Sequence, residues 1–202
     1  MIVTQQELRK KEIEMPPKFK FTREEIIEKA LNVTRAKGIS GLTARTLAAE
    51  LGSSSKTIFG SFKNMEEVQK EVKKAAYALY KTYQSKAMAD GKYPVYKASG
   101  MAYVTFAKEE KELFRLLFMC NRSGENKEDN REEIRPLLDI IMTDLGLTEE
   151  DAYIFHIEQW IYVHGIASMI ATDYLDWDEK FVSRALTDVY RGLKYRYKEG
   201  RE

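Results

Sequence analysis

Apolar residues recur every three or four positions through most of this chain, which is the period of an α-helix with one buried face. The first such segment begins behind Thr22 and Glu25, which have the spacing of a helix-capping box, and it ends at Gly38. No strand-like alternation, internal repeat or low-complexity tract breaks the pattern. The sequence therefore predicts an all-α fold of about nine helices.

Two short helices joined by a tight turn are predicted between residues 43 and 62. Thr43 is expected to cap the first helix, and Gly52 stands where a chain that leaves a helix adopts a left-handed conformation. Ala48 is small enough to let the two helices cross closely, while Ile58 supplies the apolar side chain between them. This arrangement predicts a helix-turn-helix motif, whose second helix, expected over residues 54–62, enters the major groove of DNA.

A long helix from Met65 to about Ala89 is predicted to connect this motif to the rest of the chain, which is helical in pattern throughout. The domains are expected to be a polar N-terminal extension at 1–20, a helix-turn-helix domain at 21–64 and a larger helical domain at 65–202. The expected buried stripe of the long helix is Val68, Val72, Ala75, Leu79 and Tyr83.

The helix predicted at 148–172 is apolar nearly all round, which a helix at the surface of a monomer cannot be. Pairing it and the last helix with their copies about a two-fold axis would bury both surfaces in a four-helix bundle. The sequence therefore predicts a homodimer. The stripe expected to contribute from the last helix is Val182, Leu186, Val189, Leu193 and Tyr197.

The 202 residues give room for one large or two small domains, and the formal net charge of +1 shows no basic bias. Residues 1–70 carry +4 and the remainder −3, an asymmetry that a solvated surface explains about as well as DNA binding. The single cysteine, Cys120, excludes an intrachain disulfide, and His156 and Glu158 interrupt the most apolar window. We therefore expect a soluble, cytoplasmic protein without a membrane span.

Residues typical of catalytic and metal sites are few. His156 and His164 lie eight residues apart on one predicted helix, whereas a helical metal pair needs a spacing of four. We interpret each as a hydrogen-bonded core histidine, and Cys120 as a buried or idle thiol because no base accompanies it in the sequence. The sequence predicts no catalytic residue, metal site or cofactor; an enzyme on a helical bundle is an alternative that a hydrolase assay would address.

Residues 21–72 resemble the head of the tetracycline-repressor (TetR) family of bacterial transcription regulators. The resemblance rests on these groups: Lys37-Gly38, Leu42-Thr43, Leu47-Ala48, Leu51-Gly52, Thr57-Ile58-Phe59, Phe62, and Asn64 with Glu66-Glu67. It implies a DNA-binding, ligand-responsive regulator, expected to repress by binding a palindromic operator as a homodimer, in which residues 65–202 bind the ligand and dimerise. Residues 160–165 resemble the Trp…His-Gly signature of one C-terminal subgroup of the family.

The motif and the resemblance together assign DNA contacts to the second helix and its surroundings. Ser54, Ser55 and Lys56 are expected to reach base edges, where lysine favours guanine. In a protein that does not bind DNA, the polar members of this set would simply be solvated. The other expected DNA contacts, most of them to phosphates, are Thr43, Arg45, Thr57, Phe59, Ser61 and Lys63.

Two positions depart from the family pattern. TetR relatives usually carry tyrosine at the position of Phe59 and lysine at the position of Met65, and both side chains contact phosphates there. Their absence is expected to weaken affinity for the DNA backbone without changing base readout. An alternative interpretation is therefore a helical small-molecule-binding protein whose head has lost DNA binding.

Large, adaptable side chains crowd the C-terminal domain. Such side chains are usually core, but in an effector domain they also indicate a cavity. Their chemistry favours a small apolar or aromatic effector. The candidate ligand-binding residues are Tyr103, Phe106, Phe118, Met142, Trp160 and His164.

Overall fold

The computed structural model describes residues 21–121 and 131–199, and the predicted N-terminal extension at 1–20 lies outside these ranges. Within them all regular secondary structure is helical, in nine α-helices and one short 3-10 turn at Ile39–Gly41, which confirms the all-α prediction. None of these described helices is long and apolar enough to cross a membrane. The helices are α1 Arg23–Lys37, α2 Ala44–Glu50, α3 Ser55–Phe59, α4 Met65–Ala89, α5 Val95–Glu109, α6 Lys111–Phe118, α7 Arg131–Leu145, α8 Glu149–Ala171 and α9 Glu179–Glu199.

Side-chain caps fix where the helices begin. The Glu25 amide donates to the Thr22 hydroxyl at 3.1 Å and the Thr22 amide donates to the Glu25 carboxylate at 2.7 Å, as the capping box predicts. At the start of α4, the Glu67 amide donates to the Asn64 side chain at 2.9 Å. A threonine or asparagine cap contributes about 1 kcal/mol to its helix, so these residues set the starting points of α1 and α4.

Two hydrophobic clusters form most of the interior, and α4 runs through both of them. The head cluster joins α1, α2 and α3 to the first turns of α4, where Val68 and Val72 are fully buried. The body cluster joins α4 to α5, α6, α8 and α9, and it takes Ala76 and Tyr80 from α4. Helix α4 therefore connects the two clusters, as does the contact between α1 and α6, where Leu31 packs against both clusters.

The buried stripe of α4 differs from the sequence expectation in its second half. Leu79 and Tyr83 are only partly buried, whereas Ala76, Tyr80 and Gln84 face the interior. Each step of four residues rotates the buried line by about 40° around the helix. The stripe therefore follows the neighbours of α4, which packs on α1 near its start and on α5 further along.

The stripe on α9 is buried within its own chain at its start and only partly buried towards its end, so its first part is not free to pair with a second copy as expected. Val182 and Leu186 are 2% and 3% exposed and belong to the body cluster. Leu193 and Tyr197 pack on a third cluster, which contains Phe155 from α8. The helical period predicts that such a stripe is covered but not what covers it, and here other helices of the same chain cover its first part fully and the rest in part.

Helix α8 keeps an exposed apolar side although it buries much of its surface. Ile154, Ile161, Tyr162 and Met169 are between 39% and 60% exposed. Their spacing places them with Gly165 on one side of the helix, away from the residues that pack into the body. A contiguous apolar surface of this kind marks a site of interaction more often than a solvated face.

Candidate nucleic-acid interface

A glycine turn sets the angle between α2 and α3. Gly52 adopts a left-handed conformation with a φ of +56°, as predicted. The Ser53 amide donates to the Ala48 carbonyl at 3.0 Å, and the Gly52 amide donates to the Ala49 carbonyl at 3.1 Å. These two bonds form a Schellman motif, which ends α2 and turns the chain directly into α3.

Helix α3 is only five residues long and depends on one buried side chain for its position. Ile58 is fully buried in the head cluster, as the motif predicts. The helix is shorter than the expected segment at 54–62, because Gly60 caps it and the chain turns there. Phe62 nevertheless stays buried at 2% exposure, so the segment is fixed to the core again just beyond α3.

Most of the predicted DNA-contacting side chains lie exposed on the head. Lys56 is two residues before Ile58, about 200° around the helix, and therefore faces away from the core. Phe59 is 46% exposed. The exposed members of the set are Thr43, Arg45, Ser54, Ser55, Lys56, Phe59 and Lys63, and the partly buried members are Thr57 and Ser61.

Two hydroxyl pairs that the sequence analysis did not identify stabilise this surface. Thr43 caps α2 reciprocally with Thr46, whose hydroxyl also donates to the Gly41 carbonyl at 2.7 Å. The hydroxyls of Ser53 and Thr57 lie 2.8 Å apart, so Thr57 is tied to the turn and less free to reach a phosphate. Hydroxyl residues spaced by three or four positions near a helix start are the signal that would have identified both pairs.

The segment around α3 presents positive charge. Lys56 and Lys63 are exposed, and the stretch 53–63 contains no acidic residue. The acidic residues that follow this stretch in the sequence are Glu66 and Glu67. The pKa of Glu67 is lowered first by the backbone N–H of Lys63 and then by the guanidinium of Arg23. A positively charged surface of this kind attracts DNA phosphates through release of their counterions.

A second candidate site is the aromatic cluster in the body. Tyr80 of α4 packs against Tyr103 and Phe106 of α5 and against Phe118 of α6, with ring centroids 5.2 to 5.8 Å apart. Tyr83 also packs on Phe106, at 5.4 Å. The cluster therefore connects three of the predicted ligand-binding residues to the helix that enters the head.

His164 lies between two aromatic rings at the edge of this cluster. Its ring stacks on the rings of Trp160 and Phe114, with centroid distances of 4.9 Å and 6.0 Å. Its Nδ1 lies 2.9 Å from the Tyr103 hydroxyl and its Nε2 lies 3.3 Å from the Ser168 hydroxyl. Burial lowers its pKa, so the imidazole is neutral near neutral pH, as a hydrogen-bonded core histidine is expected to be.

Met142 and His156 lie outside the aromatic cluster. Met142 packs on the third cluster with Phe155, because α7 rests on the first turns of α8 rather than on α4. His156 Nδ1 lies 3.0 Å from the Tyr96 hydroxyl, and burial lowers the pKa of His156 to about 4. Among the residues at 21–121 and 131–199, no group of three or more histidine, cysteine, aspartate or glutamate side chains is placed to hold a metal ion.

Two family models match the sequence. The model for bacterial regulatory proteins of the tetR family matches residues 26–72, and the model for the tetracyclin repressor-like C-terminal domain matches residues 96–189. Together the two matched segments cover more than two thirds of the chain. The chain belongs to the TetR family. It is accordingly a DNA-binding transcriptional regulator and not an enzyme.

Solved structures share this TetR fold. A TetR-like transcriptional regulator from Rhodococcus sp. RHA1 matches with a TM-score of 0.60 over 87% of this chain and 97% of its own, at 13% identity. A protein of unknown function from the same organism matches with a TM-score of 0.66 over 92% of this chain and 100% of its own, at 20% identity. At these identities the likeness shows the fold alone. No match was found among curated proteins.

The two departures of this TetR head from the family pattern lie in different surroundings. Phe59 is 46% exposed at the end of α3. Met65, the first residue of α4, is partly buried and packs against the head cluster. A lysine at position 65 would therefore have to leave this contact to reach a phosphate, whereas a tyrosine at position 59 would already be exposed.

Proposed function

We propose that this TetR regulator is a ligand-responsive repressor that binds a palindromic operator as a homodimer. The observation that carries its DNA-reading role is the orientation of α3, in which Ile58 is buried while Lys56 and Phe59 are exposed. In helix-turn-helix proteins the first residues of this helix reach base edges in the major groove. Lys56 suits the two acceptors of guanine, and Phe59 suits the methyl group of thymine.

The polar residues that flank α3 are assigned to phosphates. Arg45 follows the cap of α2 and Lys63 precedes α4, so positive charge stands before and after the reading helix along the chain. Phosphate contacts fix the register of a protein on DNA but carry no sequence information. Removing one of them is therefore expected to weaken binding to all sequences alike.

Dimerisation is proposed through the exposed apolar side of α8. Ile154, Ile161, Tyr162 and Met169 form this side, and Gly165 leaves room there because an added Cβ would meet no atom within 4 Å. A two-fold axis brings the same surface of a second copy against it, which is how self-complementary interfaces form. The first part of the α9 stripe does not take part, because Val182 and Leu186 are buried within their own chain.

The dimer gives the regulator its dependence on operator geometry. Two rigidly paired heads reach half-sites on one face of the DNA only when the half-sites are about 34–36 Å apart or a multiple of this distance. A ligand that binds better to a state with different head spacing disfavours the DNA-bound state by no more than its difference in affinity for the two states. Because the proposed target is the bacterial chromosome, we place the protein in the cytoplasm.

The proposed effector is a small apolar or aromatic molecule that binds at the aromatic cluster. The Tyr77 hydroxyl is buried and has no hydrogen-bond partner among the residues that the structure describes, and its ring lies 6.0 Å from that of Tyr80. An unpaired buried hydroxyl costs about 1–3 kcal/mol, which an acceptor group on the ligand would recover. Binding there would act on α4 and so on the position of the head.

Selection of duplexes from random DNA by the purified protein tests this proposal. We expect an inverted repeat whose half-sites are separated by whole helical turns. Light scattering should report a dimer, and Ile161→Glu should give a monomer of unchanged helix content that no longer prefers the repeat. Enrichment of single, unpaired half-sites would contradict the dimer, and a lack of enrichment would favour a ligand-binding protein whose head has lost DNA binding.

Two lysine substitutions separate base contacts from phosphate contacts. Lys56→Ala is expected to weaken binding by about 1–3 kcal/mol and to relax the preference at one position in each half-site. Lys63→Ala is expected to weaken binding to all sequences alike and to reduce the slope of log affinity against log salt by about 1 per half-site. Unchanged DNA affinity in both variants would contradict the assignment of this surface to DNA.

A thermal-shift screen with small aromatic compounds tests the effector site. A compound that pairs with the Tyr77 hydroxyl should stabilise the wild type more than it stabilises Tyr77→Phe, and it should lower DNA affinity only in the wild type. Equal stabilisation of both proteins would place the compound elsewhere.

A further inference from the structure

We infer that Arg23 and Glu67 form a clamp that positions the exit of α3 for DNA binding, and that they do so without contacting DNA themselves. Arg23 is the first residue of α1 and Glu67 is the third residue of α4. They are 44 positions apart in the sequence, yet Arg23 Nη2 donates to Glu67 Oε1 at 2.7 Å. The inference rests on the DNA-binding function of the head.

The guanidinium of Arg23 makes three contacts around the segment that follows α3. Its Nη1 donates to the Ser61 carbonyl at 2.7 Å, its Nη2 donates to Glu67, and its central carbon lies 4.1 Å from the centre of the Phe62 ring. A planar guanidinium can satisfy all three contacts at once, which a lysine ammonium cannot. Because Phe62 belongs to the head cluster, this ring ties the cation to the core.

Glu67 holds the other end of the same segment. While its Oε1 accepts from Arg23, its Oε2 accepts from the backbone amide of Lys63 at 2.7 Å. These two donors, the Lys63 amide before the Arg23 guanidinium, lower the pKa of Glu67, so the carboxylate stays ionised near neutral pH. One ion pair therefore holds both the carbonyl of Ser61 and the amide of Lys63.

The clamp matters because α3 cannot set the direction of its own exit. A five-residue helix has little stability in isolation, and Gly60 ends it. The proposed phosphate contacts Ser61 and Lys63 lie on the clamped segment directly after it. Exposed ion pairs usually contribute little to stability, but geometry favours this one, because a planar guanidinium stacks on a buried ring and bonds to the backbone as well as to the carboxylate.

The Glu67→Gln variant separates a positioning role from a charge effect, because the two predict opposite results. Removing a negative charge beside Lys63 would by itself strengthen DNA binding, whereas loosening the clamp would weaken it. We expect Glu67→Gln and Arg23→Met each to bind the duplex selected by the wild type about tenfold more weakly, with an unchanged salt slope. In the absence of DNA, the Lys63 amide should exchange with solvent faster in both variants.

Lys29→Met is the matched control. Lys29 lies on the same helix as Arg23, and its Nζ lies 3.7 Å from Glu50 Oε1. The substitution therefore removes one ion pair of the head without changing a contact of the segment after α3. It should leave exchange at Lys63 unchanged. Arg23→Lys keeps the charge but not the planar fork, and it should bind DNA with an affinity between those of wild type and Arg23→Met. If Arg23→Met does not fold, Arg23→Lys and Glu67→Gln still decide the question.

Three results would overturn the inference. The first is stronger DNA binding by Glu67→Gln, and the second is exchange of the Lys63 amide at the wild-type rate in that variant. The third is a salt slope lower by about 0.9 per half-site in Arg23→Met, which would mean that Arg23 contacts a phosphate. If the wild type selected no duplex at all, the proposed operator binding would fail instead. Amide exchange at Lys63 would then still decide whether the clamp holds the segment.

Discussion

The head and the body are both helical, but their interiors are built from different side chains. The fully buried residues of the head are almost all aliphatic, as Ile26, Leu47 and Ile58 illustrate. In the body, the largest fully buried side chains include Phe106 and Phe114, and tyrosines and histidines form hydrogen bonds among the rings. The head interior therefore contributes mainly packing, with the Thr34 hydroxyl bonded within its own helix, whereas the body interior contains side chains that bond to one another across helices.

This difference fits the two tasks of the ligand-responsive regulator that we propose. The DNA contacts proposed for the head lie on its outside, so its interior needs only to keep α3 in place through Ile58. The contacts proposed for the effector lie among the rings of the body, where the Tyr77 hydroxyl is buried without a partner in the described ranges. A polar group left unpaired in a packed interior favours any state that pairs it. The body is therefore the region in which we expect the proposed ligand to change the packing.

Phe106→Ala should have the largest effect on stability. Phe106 is fully buried and packs on Tyr80 and Tyr83 of α4, and such a truncation costs about 3–5 kcal/mol. Denaturant unfolding measures this loss, and amide exchange should show that protection falls more in the body than in the head. The neighbouring exposed Thr105→Ala is the control and should stay within about 0.5 kcal/mol of wild type. Equal loss of protection in both regions would show that the two clusters unfold as one unit.

Ile58→Ala tests the packing of the head, as Phe106→Ala tests that of the body. Removing this fully buried side chain should cost about 2–5 kcal/mol and should abolish DNA binding, because nothing else in α3 is fully buried. Light scattering should still report the proposed dimer, since the α8 surface lies in the body. Ile58→Val, which keeps most of the volume, should cost about 0.5–1.5 kcal/mol and retain DNA binding. An Ile58→Ala protein that still selects the wild-type duplex would contradict the role given to this side chain.

The sequence predicted the head better than the body because most signals in the head are local. A cap such as Thr22 or Thr43 acts within three residues, and the left-handed turn at Gly52 closes within six. These features are visible as short spacings of particular residue types. The family resemblance over the same segment then added the functional assignment.

Contacts between distant parts of the chain were not predictable from spacing. Periodicity predicts that Leu186 is buried, but only the packing of α9 in the structure shows that its own chain covers it. The same limit applies to Met142, which is separated from the other candidate ligand-binding residues. Arg23 and Glu67 each look like ordinary surface charges until the fold brings them together. Pairings of this kind depend on helix packing, which one sequence does not encode in any short pattern.

Acid should destabilise the body through His156. The pKa of His156 is about 4 in the folded protein against an ordinary value of 6.5, because burial disfavours the charged ring. Between these values the unfolded chain binds a proton that the folded chain does not, so stability falls as the pH falls through this range. The expected loss is about 2–3 kcal/mol. The free energy of unfolding measured against pH should show this loss in the wild type but not in His156→Gln, in which the carboxylates titrate as before. Identical dependence on pH in the two proteins would contradict the assignment of the loss to His156.

Met65→Lys should have the smallest effect, and it tests whether the head can regain a phosphate contact typical of its family. Met65 is partly buried against the head cluster, and a lysine at the start of α4 also meets the positive end of the helix dipole. Both effects reduce the free energy gained from one exposed contact between the new lysine and a phosphate. We therefore expect the binding free energy to improve by less than about 1 kcal/mol per half-site. The gain should be equal for all sequences, and the salt slope should steepen by about 0.9 per half-site. Met65→Gln loses the same apolar contact without adding charge and should bind slightly less tightly than wild type. If Met65→Lys and Met65→Gln had the same salt slope, position 65 would lie out of reach of the DNA backbone in this protein.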